Sequence, residues 1–213
     1  MTEQNSPICL AKTFPQSGYF EIQFQKKDLL PVISEVDFIK ENLINNSHKK
    51  DSANNDLVGN LEKEFFLSES HAYLNDFLQP YLKAYQDKFN VLDLYKVNPD
   101  PKDFEMQRCW VNFQKKHEFN PVHKHSGILS FVLWLEIPYA MEDEYNAISK
   151  KYSGYFEFLY NSNLHGFCSL SILADKEYQY KMLIFPSSTS HCVYPFHSSD
   201  GYRISVSGNF GYK

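Results

Sequence analysis

At 213 residues the chain is long enough to bury a substantial core and too short to imply two independent domains, so one domain over 1–213 is expected. A formal net charge of -5, with no long run of Lys or Arg, argues against a phosphate-neutralising surface, and nucleic acid is not an expected partner. No apolar run is long enough to cross a bilayer, and the first residues lack a basic segment followed by an apolar one, so a cytoplasmic protein without a membrane partner is expected.

The 18 Phe and 15 Tyr favour strands and an aromatic-lined interior. In chain order, "GYFEIQFQKK" alternates apolar and polar residues and predicts an early strand, and "PVISEVDFIKENLI" carries apolar positions at helical spacing after Pro31. "NNSHKKDSANNDLVGN" reads as an exposed loop containing His48. From Leu61 to about Phe89 apolar residues recur every three to four positions, with Pro80 expected to divide two helices.

After Pro101 the texture changes to strands and turns: "FEMQRCWVNFQ", "ILSFVLWLEI", "GYFEFLY", "KMLIFP" through "SHCVYPF", "YRISVSGNF" and a sixth candidate, "GFCSLSIL". Helices first and strands after predict an α+β, mainly β chain, with supporting helices in 1–100 and a β-sandwich or barrel in 101–213. The cysteines, Cys9, Cys109, Cys168 and Cys192, are too scattered for a disulfide framework or a thiolate zinc site.

Three pieces of this second half carry candidate chemistry. In "NPVHKHSG", His123 and His125 are two residues apart and so project to one side of an extended segment, and His191 in "FPSSTSHCVYPF" is a third imidazole from a distant turn. Three neutral imidazoles suffice to hold a divalent metal with positions left open, although the His123–His125 pair alone reads more readily as loop residues and His191 alone as a structural one. In "GYRISVSGNF" a period of two sets Arg203, Ser205 and Ser207 on one face, where a guanidinium beside a hydroxyl suits a carboxylate ligand or a protein acid. In "FEMQRCWVNFQ" Arg108, Trp110, Asn112 and Gln114 share a face, either lining a site or facing solvent.

Taken in order, "WVNF", "NPVHKHSGILSFVLWLEIP", "LIFPSSTSHCVYPF" and "RISVSGNF" resemble the 2-oxoglutarate and iron(II) dependent oxygenases of the prolyl-4-hydroxylase-like group found in phage and marine bacteria. The resemblance covers the second half of the chain. It implies a double-stranded β-helix, a jelly-roll barrel of the cupin-like kind with the metal at one open end. It also implies Fe(II) on His123, His125 and His191, and 2-oxoglutarate held by Arg203 with Ser205 and Asn112. The activity implied is a dioxygenase that uses O2 and 2-oxoglutarate to hydroxylate a peptide or small molecule, peptidyl proline among them, with release of succinate and CO2. Position 125 departs from the wider superfamily, whose second ligand is a carboxylate, so one negative charge fewer reaches the metal.

Two other readings fit the same residues. A cupin-type three-histidine metalloprotein, an iron dioxygenase or zinc hydrolase, would need no keto acid, though the glutamate such sites place after the second histidine is missing from "HSGILS". A non-catalytic β-sandwich binding module would keep the shape alone. "YAMEDEYNAISKKYSGYF" is either a lid over the site or a surface insertion.

Overall fold

The computed structural model describes residues 17–43, 52–54, 56–95, 104–148 and 151–212; Cys9 and His48 lie outside them. Among the described residues ten strands make two antiparallel sheets: β1 Phe20–Gln23, β2 Glu64–Phe66, β3 Phe104–Gln114, β4 Asn120–His123, β5 Leu129–Glu136, β6 Phe156–Ser162, β7 Gly166–Ile172, β8 Lys181–Pro186, β9 Ser190–Val193 and β10 Arg203–Tyr212. The larger sheet runs β1-β8-β5-β10-β3-β2 and the smaller β4-β9-β6-β7. This is the expected jelly-roll sandwich, with β1 and β2 added at the two edges of its larger sheet.

Period-two alternation sorts the larger sheet into two faces with different fates. Cys109, Val111 and Phe113 of β3 and Ile204 and Val206 of β10 point outward and are buried with Leu74, Leu78 and Leu82 beneath the helices α1 (Leu30–Asn42) and α2 (Ser70–Phe89). The opposite face looks at the smaller sheet, where Val132, Trp134, Phe156, Phe158, Leu183 and Phe185 form a second core. Helices on one side therefore free the other side of the same sheet to build a cavity.

Two expectations about the first half are corrected. Pro80 does not divide two helices, because α2 runs unbroken from Ser70 to Phe89 with the proline on its exposed face. A proline inside a helix costs about 3 kcal/mol. Burying each of Leu74, Leu78 and Leu82 contributes about 1.5–3 kcal/mol, so packing wins.

The helical pattern also does not begin at Leu61. Residues Glu64–Phe66 are an edge strand on β3, and α2 starts only where buried Glu35 of α1 accepts the backbone N–H groups of Ser68, Glu69 and Ser70 at 2.9, 3.0 and 2.7 Å. Of the stretch read as an exposed loop, Ala53 is fully buried, and the segment around it returns to β2 through Ala53 N–H to Glu64 O at 2.8 Å. Cys109, Cys168 and Cys192 are free thiols.

The insertion between β5 and β6 carries α3 (Met141–Ile148), and it is anchored rather than loose. Buried Glu144 accepts the N–H groups of His197 and Ser198 and the hydroxyls of Ser153 and Ser198. Gly154 in the same segment has φ +74, and a Cβ there would meet Tyr139 Oη at 2.9 Å, so only glycine fits this close approach.

Candidate metal centre

β4 and β9 are ladder partners, and their register sets His123 directly opposite His191. Their ring centroids are 4.3 Å apart; His125, two residues beyond His123, completes a triangle at 4.9 Å from His123 and 5.1 Å from His191. One ligand atom from each ring lies within 4.8 Å of the others. Three imidazoles from two distant segments thus share one space.

The rings are oriented by groups around them. His123 Nδ1 donates to Pro121 O at 2.7 Å and His191 Nδ1 to Thr189 O at 2.9 Å, which fixes the tautomer that leaves each Nε2 lone pair free. The backbone N–H of His125 donates to Ser187 O at 2.9 Å, and its ring lies 5.4 Å from Trp110. Burial lowers all three imidazoles: His125 to about 4 with help from His123, His191 to about 3, and His123 against the opposing hydrogen bond it donates to Pro121 O. All three are neutral at pH 7, the protonation state a metal ligand needs.

Arg203 sits on the inward face of β10, 2% exposed. Nε and Nη2 both donate to Gln114 Oε1, at 3.1 and 2.7 Å; Nη1 donates to Tyr139 Oη and Gly154 O, both at 2.6 Å, and Nη2 also to Tyr194 O at 3.0 Å. Every one of these partners is neutral. Among the described residues its hydrogen bonds leave the positive charge unmatched by any acid, an arrangement that favours an anion entering the site.

The polar face of β3 looks inward. Arg108, Trp110, Asn112 and Gln114 line the same cavity of about 220 Å³ as the three histidines, Arg203, Ser205 and Trp134. Asn112 Nδ2 donates to Ser205 Oγ at 3.3 Å across the β3–β10 ladder. Sequence reading missed Glu64 and Asn120, which also line it. Glu64 was hidden because "LEKEFF" had been absorbed into a helical pattern, although its two phenylalanines suit a strand. Asn120 gave no signal beyond its nearness to the histidines.

With the geometry in place, the chain can be compared with known proteins. The family described as "Putative 2OG-Fe(II) oxygenase" matches residues 108–209, which contain all three histidines and Arg203. The match spans just under half of the chain and shows a likeness to 2OG-Fe(II) oxygenases over that segment. No curated protein matches the chain.

Among solved structures, the oxygenase is similar to a Pseudomonas putida prolyl-4-hydroxylase at TM-score 0.53 and 14% identity, covering 92% of this chain and 94% of that one. It is also similar to a Trichoplax adhaerens prolyl hydroxylase in complex with a hypoxia inducible factor peptide fragment, at TM-score 0.51, 14% identity and 92% and 83% coverage. The carbocyclase SnoK from nogalamycin biosynthesis aligns at TM-score 0.50 and 9% identity, with 91% and 79% coverage. These likenesses establish the fold, and the family match over 108–209 is to Fe(II)- and 2-oxoglutarate-dependent enzymes. Among the described residues no helix is long and apolar enough to cross a membrane.

Proposed function

We propose that the oxygenase holds Fe(II) on His123, His125 and His191, seats 2-oxoglutarate against Arg203 and Ser205, and hydroxylates a C–H group of a peptide or small molecule, releasing succinate and CO2. The observation that carries this reading is the convergence of three imidazoles within 4.8 Å inside the matched segment. The donor set fits the ion: neutral nitrogen ligands suit divalent iron, and His123, His125 and His191 would hold it with positions left open for the keto acid and O2. When bound, iron with 2-oxoglutarate supplies the oxidant for an unactivated C–H bond.

The chain's own residues account for the rest. Pro121 and Thr189 carbonyls aim the imidazoles, and Phe156, stacked on His191 at 5.4 Å, shields that ring from water. Arg203 supplies charge for the remote carboxylate of the keto acid. That carboxylate takes the place of Gln114 Oε1 on the guanidinium fork, because an ionised acceptor there forms the stronger bidentate pair. Asn112 supports the seat through Ser205 instead of donating to the diacid itself.

The similarity to a prolyl hydroxylase solved with a peptide fragment supports a peptide substrate, and peptidyl proline is the first to test. The decisive experiment is anaerobic reconstitution with Fe(II) and 2-oxoglutarate, followed after O2 exposure by succinate measurement with and without substrate candidates. Succinate formed in proportion to iron supports the reading. Zinc retention with no consumption of keto acid would replace it with the three-histidine hydrolase.

A further inference from the structure

Among the described residues three buried side-chain oxygens have no hydrogen-bond partner: Glu64 Oε2, Asn112 Oδ1 and Asn120 Oδ1. All three belong to residues that line the one cavity described above. Glu64 and Asn112 are themselves only 1% and 6% exposed, and they are register partners on β2 and β3. An unpaired buried polar atom costs about 1–3 kcal/mol, so three at one place signify a missing ligand rather than chance. Both amide oxygens are acceptors, and so is Glu64 as its carboxylate, so the group that completes the set is a donor.

The surrounding chain is shaped to keep this corner open. Gly59 packs against it, where a Cβ would meet Asn120 Oδ1 at 2.5 Å and Glu64 Oε1 at 3.0 Å. Asn54 fastens the wall by accepting the Glu64 N–H at 3.1 Å and donating to Leu61 O at 2.7 Å. Burial, with Glu118 nearby, pushes the Glu64 carboxyl up to about 7, as befits an acid that has no counter-ion.

Charge is also divided within the cavity. Arg203 on β10 lies two strands away from Glu64 on β2 and one pleat along, since β3 runs between them with Asn112 opposite Glu64 and Ser205, and Gln114 opposite Arg203. Asp56 adds a second acid to the wall, and the basic residues Arg108 and Lys124 stand exposed at its edge, Arg108 over the Phe66 ring. A diacid at the Arg203 end therefore leaves an acidic, acceptor-rich corner unfilled.

We infer that Glu64, Asn112 and Asn120 form the substrate-recognition corner of this oxygenase, and that the group they take is a nitrogen cation, an ammonium or guanidinium, on the molecule to be oxidised. This rests on the cavity being the oxygenase site, and it names the substrate class. An ammonium or guanidinium brings N–H donors and no acceptor, which matches three acceptors, one of them a carboxylate oxygen.

Butylammonium and butylguanidinium test the inference against butanol and butyrate of similar shape. Binding is read from the fluorescence of the chain's two tryptophans, Trp110 and Trp134, both of which wall the cavity. The cations should bind at least about tenfold more tightly than butanol, and Glu64→Gln should remove that preference, the tenfold corresponding to about 1.4 kcal/mol. Asn120→Asp, with a second acid in the corner, should strengthen cation binding. Equal binding of butanol and butylammonium, or a cation preference that survives Glu64→Gln, overturns the inference. Binding of 2-oxoglutarate to the wild-type protein loaded with Zn(II) is measured alongside. If the keto acid binds and the cations do not, only the corner is refuted; if the keto acid fails to bind, the proposed function falls first.

Discussion

Gln114 Oε1 accepts both Nε and Nη2 of Arg203, at 3.1 and 2.7 Å, so an uncharged amide occupies the guanidinium fork where a carboxylate would make a stronger pair. The two residues are register partners on β3 and β10. The arrangement keeps a fully buried cation ordered while leaving its charge available. Gln114→Glu should therefore close the site with an internal ion pair. Calorimetric titration with 2-oxoglutarate is expected to show affinity reduced at least about tenfold, a loss of 1.4 kcal/mol or more. Affinity equal to wild type would show that the keto acid does not use this fork.

Arg203→Ala should act on both binding and stability. It strips the donors from Gln114, Tyr139, Gly154 and Tyr194, groups that tie the insertion segment to the sheet. Breaking such a buried network costs about 3 kcal/mol or more. Denaturant melts should show that loss together with failure to bind 2-oxoglutarate; a variant as stable as wild type would contradict the network.

Metal affinity separates the three histidines from their surroundings. His191→Ala and His123→Ala should each reduce Co(II) or Fe(II) affinity by well over the tenfold that even an orienting partner contributes. His125→Asp should keep the metal, since a carboxylate is also a ligand for divalent iron. Unchanged affinity in His191→Ala would dismiss the centre.

Glu64 and Glu144 predict opposite responses to pH. The Glu64 carboxyl is raised from 4.5 to about 7 by burial and by Glu118, so below the ordinary value it is neutral in both folded and unfolded chains. As pH rises through about 7 it must ionise without a counter-ion, and the stability held at low pH is lost. Glu64→Gln should match wild type in Tm at pH 4 and exceed it by several degrees at pH 8. A constant difference across that range would refute the raised carboxyl.

For Glu144, burial works to raise the carboxyl, but hydrogen bonds from Ser153, Ser198 and His197 outweigh it and hold it below the usual value. Its contribution is present above the unfolded value of 4.5 and lost as pH falls through the lower folded one. Glu144→Gln should cost about 2 kcal/mol at pH 7, and thermal melts should show the deficit shrinking in acid.

Local pattern carried much of the second half of the chain. Alternation in "FEMQRCWVNFQ" and "YRISVSGNF" placed Asn112, Gln114, Arg203 and Ser205 on single faces, because side chains on a strand reverse direction at every residue. It could not say which face was inside. It also misread Pro80 and the start of α2, since buried Leu74, Leu78 and Leu82 and the Glu35 carboxylate act from elsewhere in the fold. Glu64 was invisible as a site residue for the same reason: its surroundings come from β3, from Gly59 and from Asn120.

The sequence by itself determined the types of group available, namely three imidazoles, an inward arginine and a β-rich second half in a recognisable order. The tertiary structure alone decided that β4 and β9 pair so as to bring His123 onto His191, that Arg203 meets only neutral partners, and that an acidic corner stands apart from it. The physical reason is that backbone alternation is local, whereas strand register and desolvation depend on chain segments dozens of residues apart.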